Sequence, residues 1–468
     1  MLEEEDATLS PAADRLRLVL LVAAAPTVGF LVARAVAEGP FATALGSLSL
    51  AAGAFGLALL VLIWAAGAAA SSSREALLVV FRPGLYLTAV SLVLLVLAHG
   101  AIVIAVVLRF FRPIGFLLAI GVGALAGAVA IVRSVFSVVR KAESHVIGFI
   151  VPEDAGPRLW SHVREIADRM GALHPQHIVV GLDPNFFVTE AEVTSLSGAH
   201  SGRTLYCSLP LMRILERRQF SSIVGHELGH FKGADTRFSE KFYPIYRGTA
   251  AALLAMTSGE SEDASRLALL PAIAILSYFM ETFSVAERRL SRARELAADA
   301  EGAGVSDRRT AAAALVKVHA FAPLWGSILD EVGESLKARS MFVNLSETFV
   351  EETGTSERAS LLAGISDRHL EHPTDSHPPL EARLEALGVS LDDVTADGLR
   401  TVASDPAIEL LDEPRGAEKK LSIAYQEFLA QFLGIDLESM PASFETGHKS
   451  RWSAKKRRER MSSRNRRR

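Results

Sequence analysis

The chain has 468 residues, half of them hydrophobic, a formal net charge of −4 and a mean hydropathy of +0.27. That apolarity excludes an ordinary soluble enzyme and points to a membrane protein with more than one domain. The single Cys207 excludes an intramolecular disulfide, and its place in the apolar run 205–209 marks a buried, inert thiol.

Four apolar stretches fill the first third, at 16–36, 41–70, 85–108 and 114–132. A bilayer is crossed by about 20 apolar residues, so each is expected to span, forming an N-terminal region of four helices over 1–140. The acidic start Glu3-Glu4-Glu5-Asp6 lacks the basic segment of a cleaved signal, so the first stretch is expected to be a retained anchor. Arg15, Arg17, Arg74, Arg82, Arg133, Arg140 and Lys141 fall on one side of this arrangement, against Arg109 and Arg112 on the other. The excess of positive charge assigns the first side to the cytoplasm. His99, inside the third stretch, is expected to hydrogen-bond within the bundle.

From 141 to 242 the composition is that of a mixed soluble domain: 158–170 reads as helix, 177–182 as strand and 186–209 as β-rich. Leu211, Ile214, Leu215, Ile223 and Val224 then recur at helical spacing into His226-Glu227-Leu228-Gly229-His230. Positions i and i+4 share one helix face. His226 and His230 can therefore bind one cation, while Glu227 faces the water there as a general base rather than ligating.

Residues 243–286 read as an apolar hairpin, either two further membrane segments (243–256 and 267–285) or two buried helices. Beyond it, the segment 291–299 offers a third ligand. Glu295 would complete a His-His-Glu zinc set with one position open. Asp299, one turn along, could accept the proton on the other nitrogen of a ligand histidine. Taken alone, E-x-x-x-D on a helix is more often a solvated acidic face. Residues 287–446 read as the helical remainder of the catalytic domain.

The tail 447–468 is expected to be disordered and basic. From Lys449 to Arg468 it holds eleven Lys/Arg against one Glu, so the net −4 divides into +10 there and −14 elsewhere. Such a tail suits anionic lipid, or simple solvation, better than nucleic acid, which is not an expected partner.

Three ordered blocks carry a resemblance: His226 to His230 followed by Gly233-Ala234-Asp235, the pattern S-R-x-R-E-x-x-A-D at 291–299, and His377-Pro378-Pro379-Leu380-Glu381-Ala382-Arg383. Over about 156–388 the chain resembles the HtpX and CAAX-protease family of membrane zinc metallopeptidases. The resemblance implies a mostly α-helical membrane protein with an α+β zincin-like metallopeptidase domain. It makes His226, His230 and Glu295 the ligands of one Zn2+ per chain and Glu227 the general base. His377 would stabilise the oxyanion and Arg383 would order that site or the substrate; without the resemblance, His377 reads as a loop histidine. The family's N-A-F/Y element, which lines the substrate cleft, corresponds to Asn185-Phe186-Phe187, with Phe186 where a small residue is expected.

The expected function is that of a membrane-bound zinc endopeptidase in a bacterial cytoplasmic membrane, its catalytic domain facing the cytoplasm. Its expected partners are the bilayer and a polypeptide substrate associated with it, in protein quality control. Two alternatives stand beside this: a CAAX-type protease acting on lipidated C-termini, and a catalytically silent zinc-containing scaffold. Glu227 argues against the scaffold, because a structural site has no use for a base.

Overall fold

The computed structural model describes residues 11–35, 39–110, 114–136, 143–232, 263–356, 361 and 378–436. The segment 243–256, the Gly233-Ala234-Asp235 element, His377 and the tail 447–468 lie outside them. Contacts divide the chain into two units, Met1–Ala142 with Phe238–Ser291 and Glu143–Arg237 with Arg292–Arg468.

In the first unit, helices α1 (Pro11–Ala35), α2 (Gly39–Ala70), α3 (Arg74–Phe110) and α4 (Ile114–Phe136) pack each on the next. Their sequences are apolar all round, so burial does not follow an amphipathic stripe. On α2, Leu45, Ala52, Leu59 and Ile63 are buried while Leu50, Leu57, Val61 and Leu62 are exposed. Leu87 and Leu94 on α3 and Leu118 and Val122 on α4 are exposed as well. Apolar side chains on both faces are what a helix needs when its outer solvent is lipid. Leu16–Ala35, Gly39–Ala70 and Arg74–Phe110 are each long and apolar enough to cross a membrane. The described apolar part of α4 is shorter, Ile120–Val129.

Close approach of these helices depends on small residues, as expected where lipid removes the hydrophobic drive. A Cβ on Gly100 would lie 3.1 Å from that of Ala124, and one on Gly56 would meet Val22 at 2.5 Å. His99 is buried, with Nδ1 2.8 Å from the Leu95 carbonyl oxygen and Nε2 3.1 Å from that of Val22, so it ties α3 to α1. The fifth described helix of this unit starts at Asp263. Its Phe279 stacks on Phe81 of α3 at 5.7 Å and its Phe283 meets the same ring edge-on at 5.2 Å.

The second unit is built on a four-stranded sheet ordered β2 (Gly148–Ile150), β3 (His177–Gly181), β7 (Thr204–Ser208), β4 (Phe187–Thr189). Strands β3 and β7 run parallel; β2 and β4 are antiparallel to their neighbours. The central β7 is buried throughout, Cys207 included. A smaller sheet, β1 (Glu143–His145), β5 (Glu192–Ser195) and β6 (Gly198–His200), stands beside it in sequence. Between β2 and β3 runs α5 (Pro157–Met170), which buries Leu159, Trp160, Val163 and Ile166 and ends at Gly171 in the left-handed region, φ 63°. That stop suits glycine.

The helical spacing through 211–224 is interrupted. Residues form α6 (Leu209–Ile214) and α7 (Arg217–Lys232), with Leu215 extended between them. The break is held from outside: Arg217 N–H donates to Asp405, and Ala407 N–H donates to Leu215. Beyond α7 come α8 (Asp263–Val305), which begins in the first unit and ends in the second, α9 (Arg308–Phe321), α10 (Leu324–Lys337) and α11 (Leu345–Thr355). Then follow α12 (Leu380–Leu387), α13 (Leu391–Gly398) and α14 (Pro414–Phe432).

By length and hydropathy alone, Arg308–Lys337 would also qualify as a span. It is two helices, divided at Ala322 and Pro323. Its alanines Ala311 to Ala314 are buried in the core of the second unit. Lys317 lies among them, its Nζ donating to the Ile214 carbonyl at 2.7 Å, and burial pulls its pKa down to about 8. A neighbouring backbone oxygen, rather than bulk water, satisfies the buried ammonium.

Candidate active site

Helix α7 carries the two histidines, and its start is fixed from both sides. Gln219 reaches back to accept from Glu216 N–H at 3.1 Å, half of a capping box. The Glu216 carboxylate accepts from Ser404 and Asp405 N–H at 2.8 and 2.9 Å. These contacts set the rotation of α7, so His226, Glu227, Leu228 and Gly229 are buried.

The last turns of α8 cross α7 at glycines. A Cβ on Gly302 would stand 2.5 Å from the Ser222 carbonyl oxygen and 3.2 Å from His226 N. One on Gly225 would stand 3.2 Å from the Gly302 Cα. At Gly229 the same addition makes ordinary contacts, 3.5 Å from Glu301 and 3.6 Å from Ala298. This crossing brings Glu295 and Asp299 to the histidines. Sequence reasoning passed over it, although glycines inside two strongly helical segments were the available signal, since glycine disfavours a helix interior. Gly302→Ala is therefore expected to force α8 off α7, at a cost of about 1–3 kcal/mol. Metal affinity should fall with it, while Gly229→Ala should melt and bind metal like the parent. Thermal melts and metal competition on the two variants compare them directly.

One donor atom each from His226, His230 and Glu295 lies within 4.8 Å of the others. Glu295 Oε2 is 3.4 Å from His226 Nε2, and its Oε1 is 3.6 Å from His230 Nε2. The two imidazole planes are nearly perpendicular, at 87°. His226 Nδ1 faces Asp299 Oδ1 at 2.9 Å. Behind Asp299 stands Arg383 of α12, whose Nε and Nη2 donate to the two carboxylate oxygens at 2.7 and 2.6 Å. Both partners are buried.

The electrostatics favour positive charge at the centre. Burial opposes protonation of His226, but Asp299, Glu295 and Glu227 outweigh it and hold the imidazole at about 9. Burial likewise pushes the Asp299 carboxyl towards its neutral form, yet Arg383 and His226 hold it below the ordinary carboxylate range. Arg383 stays charged against its own burial because Asp299, Glu295 and Glu227 surround it. Three acidic side chains thus offset two of their neighbours and attract a cation.

Asn185 is exposed in the turn between β3 and β4, its Oδ1 accepting from Phe186 N–H at 2.9 Å. The bulky Phe186 is buried and meets Phe220 of α7 edge-on at 5.9 Å. It fills core between sheet and helix, which explains why a small residue is not needed there. His377 is outside the described residues, so the structure does not place it.

The sequence model of peptidase family M48 matches residues 156–389, half of the chain. The chain belongs to this family. With its apolar helices, this M48 member is a membrane-bound metallopeptidase. A protease HtpX homolog from Archaeoglobus fulgidus is 27% identical over 235 residues, covering 49% of this chain and 67% of the relative. One from Pyrobaculum calidifontis is 27% identical over 275 residues, 56% and 76% of the two chains. One from Burkholderia cenocepacia is 30% identical over 182 residues, 37% and 59%. No solved structure matches. The M48 match encloses α7, the second half of α8 and Arg383, the elements that meet at the acidic cage.

Proposed function

We propose that this M48 peptidase is a zinc-dependent endopeptidase that cuts membrane-associated polypeptides in protein quality control, with its catalytic unit on the cytoplasmic side. The observation that carries the reading is the convergence of His226, His230 and Glu295. Two ligand atoms of a tetrahedral zinc, each roughly 2.0–2.1 Å from the metal, stand about 3.3–3.4 Å apart. The carboxylate oxygens of Glu295 lie 3.4 and 3.6 Å from the two Nε2 atoms. The residues present therefore fit the ion, with all three donor atoms within 4.8 Å of one another.

When bound, zinc supplies Lewis-acid polarisation of a scissile carbonyl and lowers the pKa of water at the site. The chain does the rest. Glu227 takes a proton from the attacking water and returns it to the departing amine, a role that needs a carboxylate beside the metal ligands but outside their set. Asp299 accepts from His226 Nδ1, which would leave Nε2 to act as the ligand once its proton is displaced. Arg383 keeps Asp299 ionised and fixes both of its oxygens. His377 is proposed as the oxyanion partner, and Asn185 as part of the substrate cleft, from the family pattern alone.

The cytoplasmic assignment rests on Arg17, Arg74 and Arg82 at one end of the spans. The likeness to HtpX homologs favours an HtpX-type role over cleavage at lipidated C-termini. The purified enzyme is expected to hold one zinc per chain and to cut an unfolded protein such as casein, losing cleavage on chelation and regaining it with added zinc. In vesicles, substrate added outside should be cut only when the membrane is inverted. Cleavage that survives complete metal removal overturns the zinc reading, and preference for a prenylated peptide over a misfolded membrane protein overturns the substrate class.

A further inference from the structure

Apart from the active site, the membrane unit contains a cleft of about 620 Å³ between α1, α2 and the first half of α8. Its apolar wall is formed by Leu18, Leu21, Trp64, Tyr278 and Val285. Its charged lining is Arg17, Glu281 and Arg289. Arg17 lies near the start of α1 and Ser71, also in the lining, just past the end of α2. Gly67 touches Thr282 so closely that a Cβ there would collide with it, which sets α2 and α8 level at that point. Arg289 lies about 10 Å further along α8 than Thr282.

Neither arginine forms an ion pair among the described residues, and both are exposed. Trp64 and Tyr278 have the apolar body and polar edge that sit at a membrane interface. The cleft thus combines two arginines with an apolar wall, inside helices whose outer faces are built for lipid.

We infer that this cleft binds a phospholipid with a monoanionic, hydroxyl-bearing headgroup, of the phosphatidylglycerol class. Two arginines and one glutamate leave the lining with one net positive charge, which a single phosphodiester neutralises. Arg17 and Arg289 take the phosphate oxygens. Glu281, an acceptor only, takes a headgroup hydroxyl, a bond that choline cannot supply. One acyl chain lies along Leu21 and Tyr278. The inference concerns the membrane unit alone and does not depend on the zinc reading.

The test uses the full chain in nanodiscs of phosphatidylcholine, titrated with phosphatidylglycerol, phosphatidic acid or inorganic phosphate, with bound lipid read by native mass spectrometry. Wild type should retain phosphatidylglycerol selectively. Arg17→Gln and Arg289→Gln should each weaken it about fivefold, in line with about 1 kcal/mol per arginine near the surface. Arg82→Gln, an exposed arginine of α3 outside the cleft, should change it by less than about twofold. Glu281→Leu, which removes the acceptor, should erase the preference over phosphatidic acid, which lacks the headgroup glycerol. All four positions are exposed, so the folded state should survive each change, and lipid-free melts check this. Equal loss in Arg82→Gln, equal retention of phosphatidylcholine, or displacement by inorganic phosphate would each overturn the site.

Discussion

Glu227→Gln should keep its zinc and lose cleavage of an unfolded protein by about 10²–10⁴-fold, the range that a positioned acid or base contributes. Glutamine has the same shape and fits the buried place on α7, so folding should be spared. It cannot take a proton from water. His226→Ala provides the contrast, because it removes a donor and should lose both metal and activity. Zinc content by mass spectrometry and single-turnover cleavage separate the two. A purified Glu227→Gln enzyme that still cuts at the parental rate would remove Glu227 from the mechanism, whatever its metal content.

Arg383→Met should be the most destabilising single change near the site. It leaves the Asp299 carboxylate buried beside Glu295 and Glu227 without its two charge-assisted hydrogen bonds. Breaking a buried pair from one side costs about 3–5 kcal/mol. His226 would then share its proton with an unanchored partner, and zinc affinity should fall about 10–100-fold. Arg383→Lys keeps the charge but cannot bond both oxygens at once, so it should lie between. Chemical denaturation and zinc competition measure the two effects separately. Parental values for both in Arg383→Met would show that Asp299 is held in place by other means.

Local spacing made part of this site legible. His226 and His230 declare themselves by the i,i+4 rule, and Glu295 and Asp299 share one face of a helix for the same reason. The bidentate grip of Arg383 on Asp299 spans 84 positions and leaves no periodic trace. Its position came from the resemblance, whereas its partner came only from the structure. The glycine crossing was hidden because Gly225 and Gly302 each look like ordinary helix weakeners until the two helices are brought together. In the fold, the long apolar stretches announced the membrane helices, and the same measure over-read Arg308–Lys337. Hydropathy counts alanines alike whether lipid or protein covers them. The order of the sheet was not legible, since β7 joins β3 and β4 across intervening strands rather than along the chain.

The cage draws its groups from three helices far apart in sequence: α7, α8 and α12. A cation held by His226 and Glu295 would join segments 69 positions apart, and Arg383 extends the joined region by 84 more from Asp299. Bringing such segments together closes long loops at an entropy cost that grows slowly but steadily with length, so the ion finds its three donors together only in the folded chain. Metal occupancy and the integrity of the catalytic unit are then two readings of one equilibrium. At a free metal concentration of 100 times Kd, linkage adds about 2.7 kcal/mol to the fold. Copies that lose the ion should then become at once idle and easier to unfold, which denaturation with and without a chelator would read.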